Sequence, residues 1–304
     1  MSPNTHTYVK DSRNDNIKIC INGKYYSRKN AKISVFDSGF LLGDGVWEGI
    51  RLLNGYFVFL EQHINRLFFG ARELSINIGL TKKQIINLLY DTILINNMKT
   101  NVHIRLIVSR GLKKTPYQHP DANVGCSTIV VIPEYKKASE KINKRGLNLI
   151  TVQTLRGPAN IQNHQLNTLS KQNCISACIE AMNAGADEGL MLDIKGYVAT
   201  CNSTNFFIIM NKEVWTSTGE FCLPGVTRSA VISLCKENNI PVFCKNFKIN
   251  DVYCADEAFV TGTFGGIIPV INVDNTAISN NSRGPITYQL QNLYKNKLLR
   301  LYPK

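Results

Sequence analysis

A lysine on the apolar side of a helix is the first chemical feature of the chain. In the stretch 156–189, RGPANIQNHQLNTLSKQNCISACIEAMNAGADEG, the residues Ile175, Cys178, Ile179 and Met182 recur at three- and four-residue spacing. This spacing predicts one helix face turned to the core. Lys171 lies four residues before Ile175 and falls on the same face, near the helix start. Burial and a helix N-terminus both disfavour an ammonium, which makes such a lysine a candidate amine nucleophile for imine chemistry. The plainer reading is a lysine that snorkels from the first turn to water.

Two glycine-bearing loops have the chemistry of an anion site. In LPGVTR at 223–228 the chain passes through Gly225 into a predicted helix. The N–H groups of Val226 and Thr227 and the Thr227 hydroxyl can there surround an oxyanion. In VTGTFGG at 260–266, with Gly262 and Thr263, a strand ends in a turn rich in hydroxyls and glycine, suited to a second donor nest. Arg66, on a predicted helix over 60–76, can add a bidentate guanidinium. Taken singly, each of these loops reads equally as an ordinary cap or turn.

The elements needed to position these groups are legible in outline. Residues 17–60 alternate short strands with tight turns, and Asn-Gly pairs at 22–23 and 54–55 signal hairpins. The stretch 60–76 reads as an amphipathic helix with Leu60, Ile64, Leu67 and Phe68 inward, and 81–97 as a second helix capped by Thr81. Strands follow at 101–111 and 126–135. After the lysine-rich stretch come a strand at 147–155, the helix carrying Lys171, strands over 188–217, and a helix after Gly225. Further strands and a final helix over 284–302 complete the chain. The expected class is mixed α/β (α+β) with two lobes. A flexible tail over 1–16 precedes a small lobe over 17–134, a basic linker over 135–146 and a larger lobe over 147–304.

Composition narrows the functional classes. Hydrophobic residues make up 44% and charged residues 19% of the 304 positions, the balance of an ordinary globular protein. No apolar run approaches the ~20 residues of a membrane span. The first sixteen residues are polar and do not form a signal peptide. The net charge of +13 is spread along the chain and accompanies no nucleic-acid-binding motif, so nucleic-acid binding is not expected. Nine cysteines, with no C-x-x-C pair and no clustering with histidine, argue against a metal site. Several of them (Cys20, Cys174, Cys178, Cys235, Cys244) lie in apolar contexts, as buried free thiols do, which points to a reducing cytoplasm.

Five motifs in order carry a family resemblance: DSGFLLGDGVWEGIR at 37–51, L-x-x-H-x-x-R-L at 60–67, AGADE at 184–188, GVTR at 225–228 and TGT at 261–263. The chain resembles the class IV, fold-type IV, pyridoxal-phosphate aminotransferases, which include branched-chain and D-amino-acid aminotransferases, over about residues 18–295. The resemblance implies a small and a large lobe with pyridoxal 5′-phosphate in the cleft between them, amino acid and 2-oxo acid substrates, and a homodimer. Arg66, Val226, Thr227 and Thr263 match family positions that hold the cofactor phosphate, and Gly225 and Gly262 beside them are expected among the cofactor-binding residues.

Two positions depart from the family. The family's Schiff-base lysine falls on Asn167, and no lysine occurs between Arg145 and Ser170. Lys171 follows four residues later, so a helical 167–171 would bring its amine back to the same place. The family's glutamate opposite the cofactor's ring nitrogen is replaced by Thr200, in GYVAT at 196–200. A neutral hydroxyl in that role would not keep the nitrogen protonated, which weakens the cofactor as an electron sink. Asn167 and Thr200 are thus expected near the cofactor ring.

On the substrate side, Arg105 and Lys113 are candidates for the carboxylate, with Lys114 beside them. Each also reads as a solvated surface charge. The leading expectation is ping-pong amino transfer with a relocated lysine, Lys171. The alternative is a diverged relative that has lost transamination, and that binds pyridoxal phosphate or another phosphorylated ligand non-covalently or performs cofactor-independent chemistry.

Overall fold

The structure is a computed structural model that describes residues 10–137 and 140–304, without the side chains of 140 and 141. Of the tail expected over 1–16, residues 1–9 lie outside the described residues. The rest is fastened: Asn14 is buried, donates to the Tyr135 carbonyl (3.0 Å) and accepts from the Tyr135 amide (2.8 Å). The chain divides into two compact units. One holds the described residues up to Lys137 together with Leu166–Lys171. The other holds those up to Gln165 together with Gln172–Pro303.

The first unit begins with β1 (Lys18–Ile21) and β2 (Lys24–Ser27). The Asn22-Gly23 turn joins them with both residues in the left-handed region, as a two-residue hairpin of this type requires. Next come α1 (Ser38–Leu42), β3 (Gly45–Leu53), β4 (Tyr56–Phe57), α2 (Leu60–Glu73) and α3 (Lys82–Ile95). Thr81 and Gln84 form a reciprocal capping box at the start of α3. The strands β5 (Val102–Ser109), β6 (Leu112–Lys113), β7 (Asn123–Val124) and β8 (Thr128–Tyr135) follow. Six of these strands form one antiparallel sheet in the order β2-β1-β8-β5-β3-β4, and β6 and β7 form a separate hairpin.

Along β5 the residues Val102, Ile104, Leu106 and Val108 are buried in alternation. They pack in one core with Ile50 and Leu52 of β3, Ile64 and Leu67 of α2, and Ile85 and Leu89 of α3. The intervening residues of β5, His103 and Arg105 among them, occupy the opposite face of the sheet. Residues 166–171 return to this unit and run beside the start of β3. There the Trp47 amide donates to the Asn167 carbonyl (2.9 Å) and the Leu169 amide to the Gly45 carbonyl (2.9 Å).

The second unit contains α4 (Glu140–Arg145), β9 (Leu147–Thr151), α5 (Gln172–Asn183), β10 (Glu188–Leu192), β11 (Val198–Cys201), β12 (Asn205–Met210) and β13 (Glu213–Thr216). It continues with α6 (Val226–Glu237), β14 (Val242–Cys244), α7 (Ile249–Tyr253), β15 (Glu257–Gly262), β16 (Gly266–Val273), β17 (Thr276–Ala277) and α8 (Pro285–Leu301). Its mixed sheet runs β11-β10-β9-β16-β15-β12-β13-β14, with β17 on β16. The pairs β9–β10, β9–β16 and β13–β14 are parallel. Strands β11, β12 and β15 are buried almost throughout, which explains their continuous apolar runs. Glu257 of β15 caps α8 in place of a local side chain, accepting from the amides of Ile286 (2.9 Å) and Thr287 (2.8 Å).

The structure corrects the reading of α5. Ile175, Ile179 and Met182 are 50%, 46% and 56% exposed, and the buried residues of this helix are Ala177 and Ala181. Cys178 is exposed as well, as is Cys244, and Cys174 is half-buried, whereas Cys20 and Cys235 are buried as expected. All nine cysteines are free thiols. No described helix is long and apolar enough to cross a membrane, and no metal-holding group of His, Cys, Asp and Glu occurs among the described residues.

Candidate functional site

In the first unit the segment from Leu166 to Lys171 is not helical, so a helical turn is not what returns the Lys171 amine; α5 begins only at Gln172. The amine of Lys171 nonetheless reaches residue 167: its Nζ donates to Asn167 Oδ1 at 3.2 Å. The Asn167 amide is itself fixed, because Nδ2 donates to the Trp47 carbonyl (2.6 Å). The Trp47 indole N–H donates to the Thr168 carbonyl (3.1 Å), which holds the ring beside the segment. Lys171 Nζ lies 5.6 Å from the centroid of that ring, and the Arg105 guanidinium lies 3.9 Å from it. One aromatic ring therefore connects the candidate nucleophile Lys171 with the candidate carboxylate receptor Arg105.

Immediately after Trp47, Glu48 is fully buried, and it organises a second cluster. Arg66 of α2 grips its carboxylate with two bonds, Nε to Oε1 (2.8 Å) and Nη2 to Oε2 (2.7 Å). His63, one helical turn before Arg66, places Nδ1 2.7 Å from Oε2. Burial alone would raise the Glu48 carboxyl, but the Arg66 charge and the bonds from Arg66 and His63 outweigh it. The carboxyl is held below its ordinary value. An ionised Glu48 only accepts, so His63 Nδ1 carries the proton, and its buried Nε2 finds no partner. The bidentate contact expected from Arg66 to a phosphate is thus made to Glu48.

The second unit holds the predicted anion cup. α6 starts at Val226 with Gly225 as its N-cap, and no side chain caps it. The first turn of α6, with the amides of Val226 and Thr227, contains no acidic residue, and Thr227 is buried. A Cβ at Gly225 would lie 2.1 Å from Asn205 Oδ1, so only glycine fits there. On β15, which pairs with β12 at Asn205–Thr261, the buried Thr261 hydroxyl has no hydrogen-bond partner. Gly262 ends β15 and Thr263 opens the turn to β16, both partly exposed. An uncapped helix start and an orphaned hydroxyl are the donors a phosphate needs, so the cup fits that group.

Thr200, at the family's glutamate position, is buried on β11, and its hydroxyl donates to the Thr204 carbonyl at 2.8 Å. Lys113 is neither solvated nor open to a substrate. It is 3% exposed, with Nζ on Asn123 Oδ1 (2.9 Å) and near the His119 carbonyl (3.4 Å), inside the β6–β7 hairpin. Sequence reasoning missed the part played by Trp47, Glu48 and His63. The three-residue spacing of His63 and Arg66 on one helix face was the available signal for the last two.

Residues 45–273 match the family Amino-transferase class IV. A protein of Methanocaldococcus jannaschii described as a branched-chain-amino-acid aminotransferase is 38% identical over 284 residues, which is 92% of this chain and 96% of that protein. The D-alanine aminotransferase of Listeria innocua is 30% identical over 287 residues, 93% and 97% of the two chains. A solved branched-chain amino acid aminotransferase of T.th., with pyridoxamine 5′-phosphate, matches with a TM-score of 0.88 at 27% identity, over 95% of this chain and 96% of that one. The chain belongs to the class IV aminotransferases, and it has their fold-type IV architecture of mixed helices and sheets.

Proposed function

We propose that the protein moves an amino group between an amino acid and a 2-oxo acid with pyridoxal 5′-phosphate as cofactor, and that Lys171 replaces the family lysine. The observation that carries this reading is the 3.2 Å contact of the Lys171 amine with the side chain at position 167. When bound, the cofactor supplies an aldehyde for an amine and a ring that stabilises a carbanion. The chain supplies the rest. Lys171 is the attachment amine and later the base that carries the substrate's α-proton. The N-terminus of α6 with Thr227 and Thr263 would hold the phosphate, whereas the Arg66 guanidinium is engaged by Glu48. Asn167 and, in the second unit, Thr200 would lie at the ring region, and Arg105 would receive the substrate carboxylate. A homodimer in the reducing cytoplasm completes the reading, and the nine free thiols and the exposed apolar stripe of α5 support it.

Asn167 and Thr200 also favour a second reading, in which transamination is lost and a phosphorylated ligand is bound without a covalent link. One experiment separates the two. The absorption spectrum of the purified protein with pyridoxal 5′-phosphate is recorded before and after borohydride, and the modified peptide is mapped. Cofactor trapped on Lys171, and no trapping in K171A, is expected. Binding that is not trapped and survives K171A selects the second reading, and a protein that takes up no cofactor overturns the first.

A further inference from the structure

We propose that Thr204 and Glu188 are positioning residues that make Thr200 a hydrogen-bond acceptor for a protonated ring nitrogen of the ligand. The inference rests on the reading of Thr200 as the ring contact of a pyridoxal-phosphate site. It replaces the expectation that a neutral hydroxyl there leaves the nitrogen unprotonated.

A hydroxyl carries one proton and two lone pairs. In Thr200 that proton is committed to the Thr204 carbonyl, 2.8 Å away. The same carbonyl accepts the Cys201 amide at 2.9 Å, so it is held from two sides. The Thr204 hydroxyl in turn donates to Glu188 Oε2 at 2.7 Å. The turn that carries Thr204 is pinned to β10: Asn202 Oδ1 accepts the Gly189 amide (2.7 Å), and the Asn202 amide donates to the Gly189 carbonyl (3.0 Å).

Thr200, Thr204 and Glu188 are all buried, Glu188 at 2% exposure, so no water competes for these bonds. What Thr200 retains for a ligand is lone pairs. Lone pairs attract a ring N–H and repel a bare ring nitrogen, which selects the protonated ring. The nearby carboxylate acts in the same direction, because a negative charge in a poorly solvated site favours a cation. Its reach as far as residue 201 is visible in the Cys201 thiol. Burial first, and the Glu188 charge second, push that thiol well above its ordinary value against the opposing pull of the Thr204 side chain and of Arg156. The family's direct carboxylate is thereby replaced by a hydroxyl with a carboxylate behind it.

The test uses 4′-deoxypyridoxine 5′-phosphate, which keeps the ring and the phosphate but has no aldehyde, so its binding does not depend on Lys171. The ring nitrogen of the bound compound is titrated by ultraviolet absorbance in the wild-type protein and in T200V, T200S, T204V and E188Q. The expected result is a midpoint lowered by about one pH unit in T200V, about tenfold in the protonation equilibrium. E188Q and T204V are expected to shift it in the same direction, and T200S to restore the wild-type value. Glu188 is buried, so T204V, which removes only a hydroxyl, carries the test alongside E188Q. A midpoint unchanged in T200V, or unchanged in both T204V and E188Q, overturns the relay and leaves the phosphate site standing. Failure of the wild-type protein to bind the compound overturns the reading of the site, and the relay with it.

Discussion

The Lys171 amine is held 3.2 Å from Asn167 Oδ1, and Asn167 is held in turn by the Trp47 carbonyl. The asparagine at the family's lysine position therefore works as a bracket for the lysine four residues on. Removing the bracket in N167A should leave a lysine with more rotamers to lose. Borohydride trapping of pyridoxal 5′-phosphate on residue 171 is expected to slow about tenfold, the effect of about 1.4 kcal/mol of lost orientation. N167K should move the trapped peptide to residue 167. Equal trapping rates in N167A and wild type would show that Asn167 does not orient the amine.

Glu48 makes a prediction with a definite sign. Its carboxyl is held below its unfolded value, so its stabilisation is present above about pH 4.3 and is lost as pH falls through the depressed folded value. Replacing it with glutamine breaks a buried pair and should cost on the order of 3 kcal/mol at neutral pH. The gap between E48Q and wild type, measured by urea unfolding at pH 7 and again below pH 4, should narrow in acid. A gap independent of pH would count against an ionised Glu48.

Gly225→Ala places a Cβ 2.1 Å from Asn205 Oδ1, in a loop where Asn205 also donates to the Leu223 carbonyl (3.0 Å). The loop must shift at a cost of about 1–3 kcal/mol, and the α6 amides shift with it. Isothermal titration with pyridoxal 5′-phosphate should read at least a tenfold weaker affinity. Gly157→Ala is the control: its Cβ meets only Ile161 side-chain atoms, none nearer than 3.7 Å, and its affinity should stay within twofold of wild type.

Lys113 is a buried ammonium facing an amide oxygen and a carbonyl. Charge buried against neutral partners is costly, so K113M, which fills the same space, should melt at or above the wild-type temperature with KM unchanged. A raised KM with kcat unchanged would return Lys113 to the substrate side.

The sequence revealed periodicity more reliably than orientation. The helix of Ile175, Cys178, Ile179 and Met182 exists, but its apolar stripe faces outward. The reason is close approach: a Cβ at Gly189 of β10 would lie 2.9 Å from the Ala177 carbonyl. A helix packed that tightly on a strand admits only small residues such as Ala177 and Ala181, and larger apolar side chains are displaced to the far face. The Asn-Gly hairpins and the Thr81 cap were legible because their chemistry is local. The Trp47–Asn167 pairing was not, since a contact between residues 120 apart leaves no trace in spacing.

The clip between β3 and residues 166–171 also sets a timetable for the newborn chain. Trp47 emerges 121 residues before the Thr168 carbonyl that receives its indole N–H. At the ~5–20 residues per second of synthesis, β3 waits roughly 6–24 s for the segment that completes its flank. The six-stranded sheet can assemble within that interval, because its last strand ends at Tyr135. The lysine read as the reactive one is thus the last piece added to an already formed scaffold, and a ribosome paused before codon 171 would hold the first unit with that place unfilled.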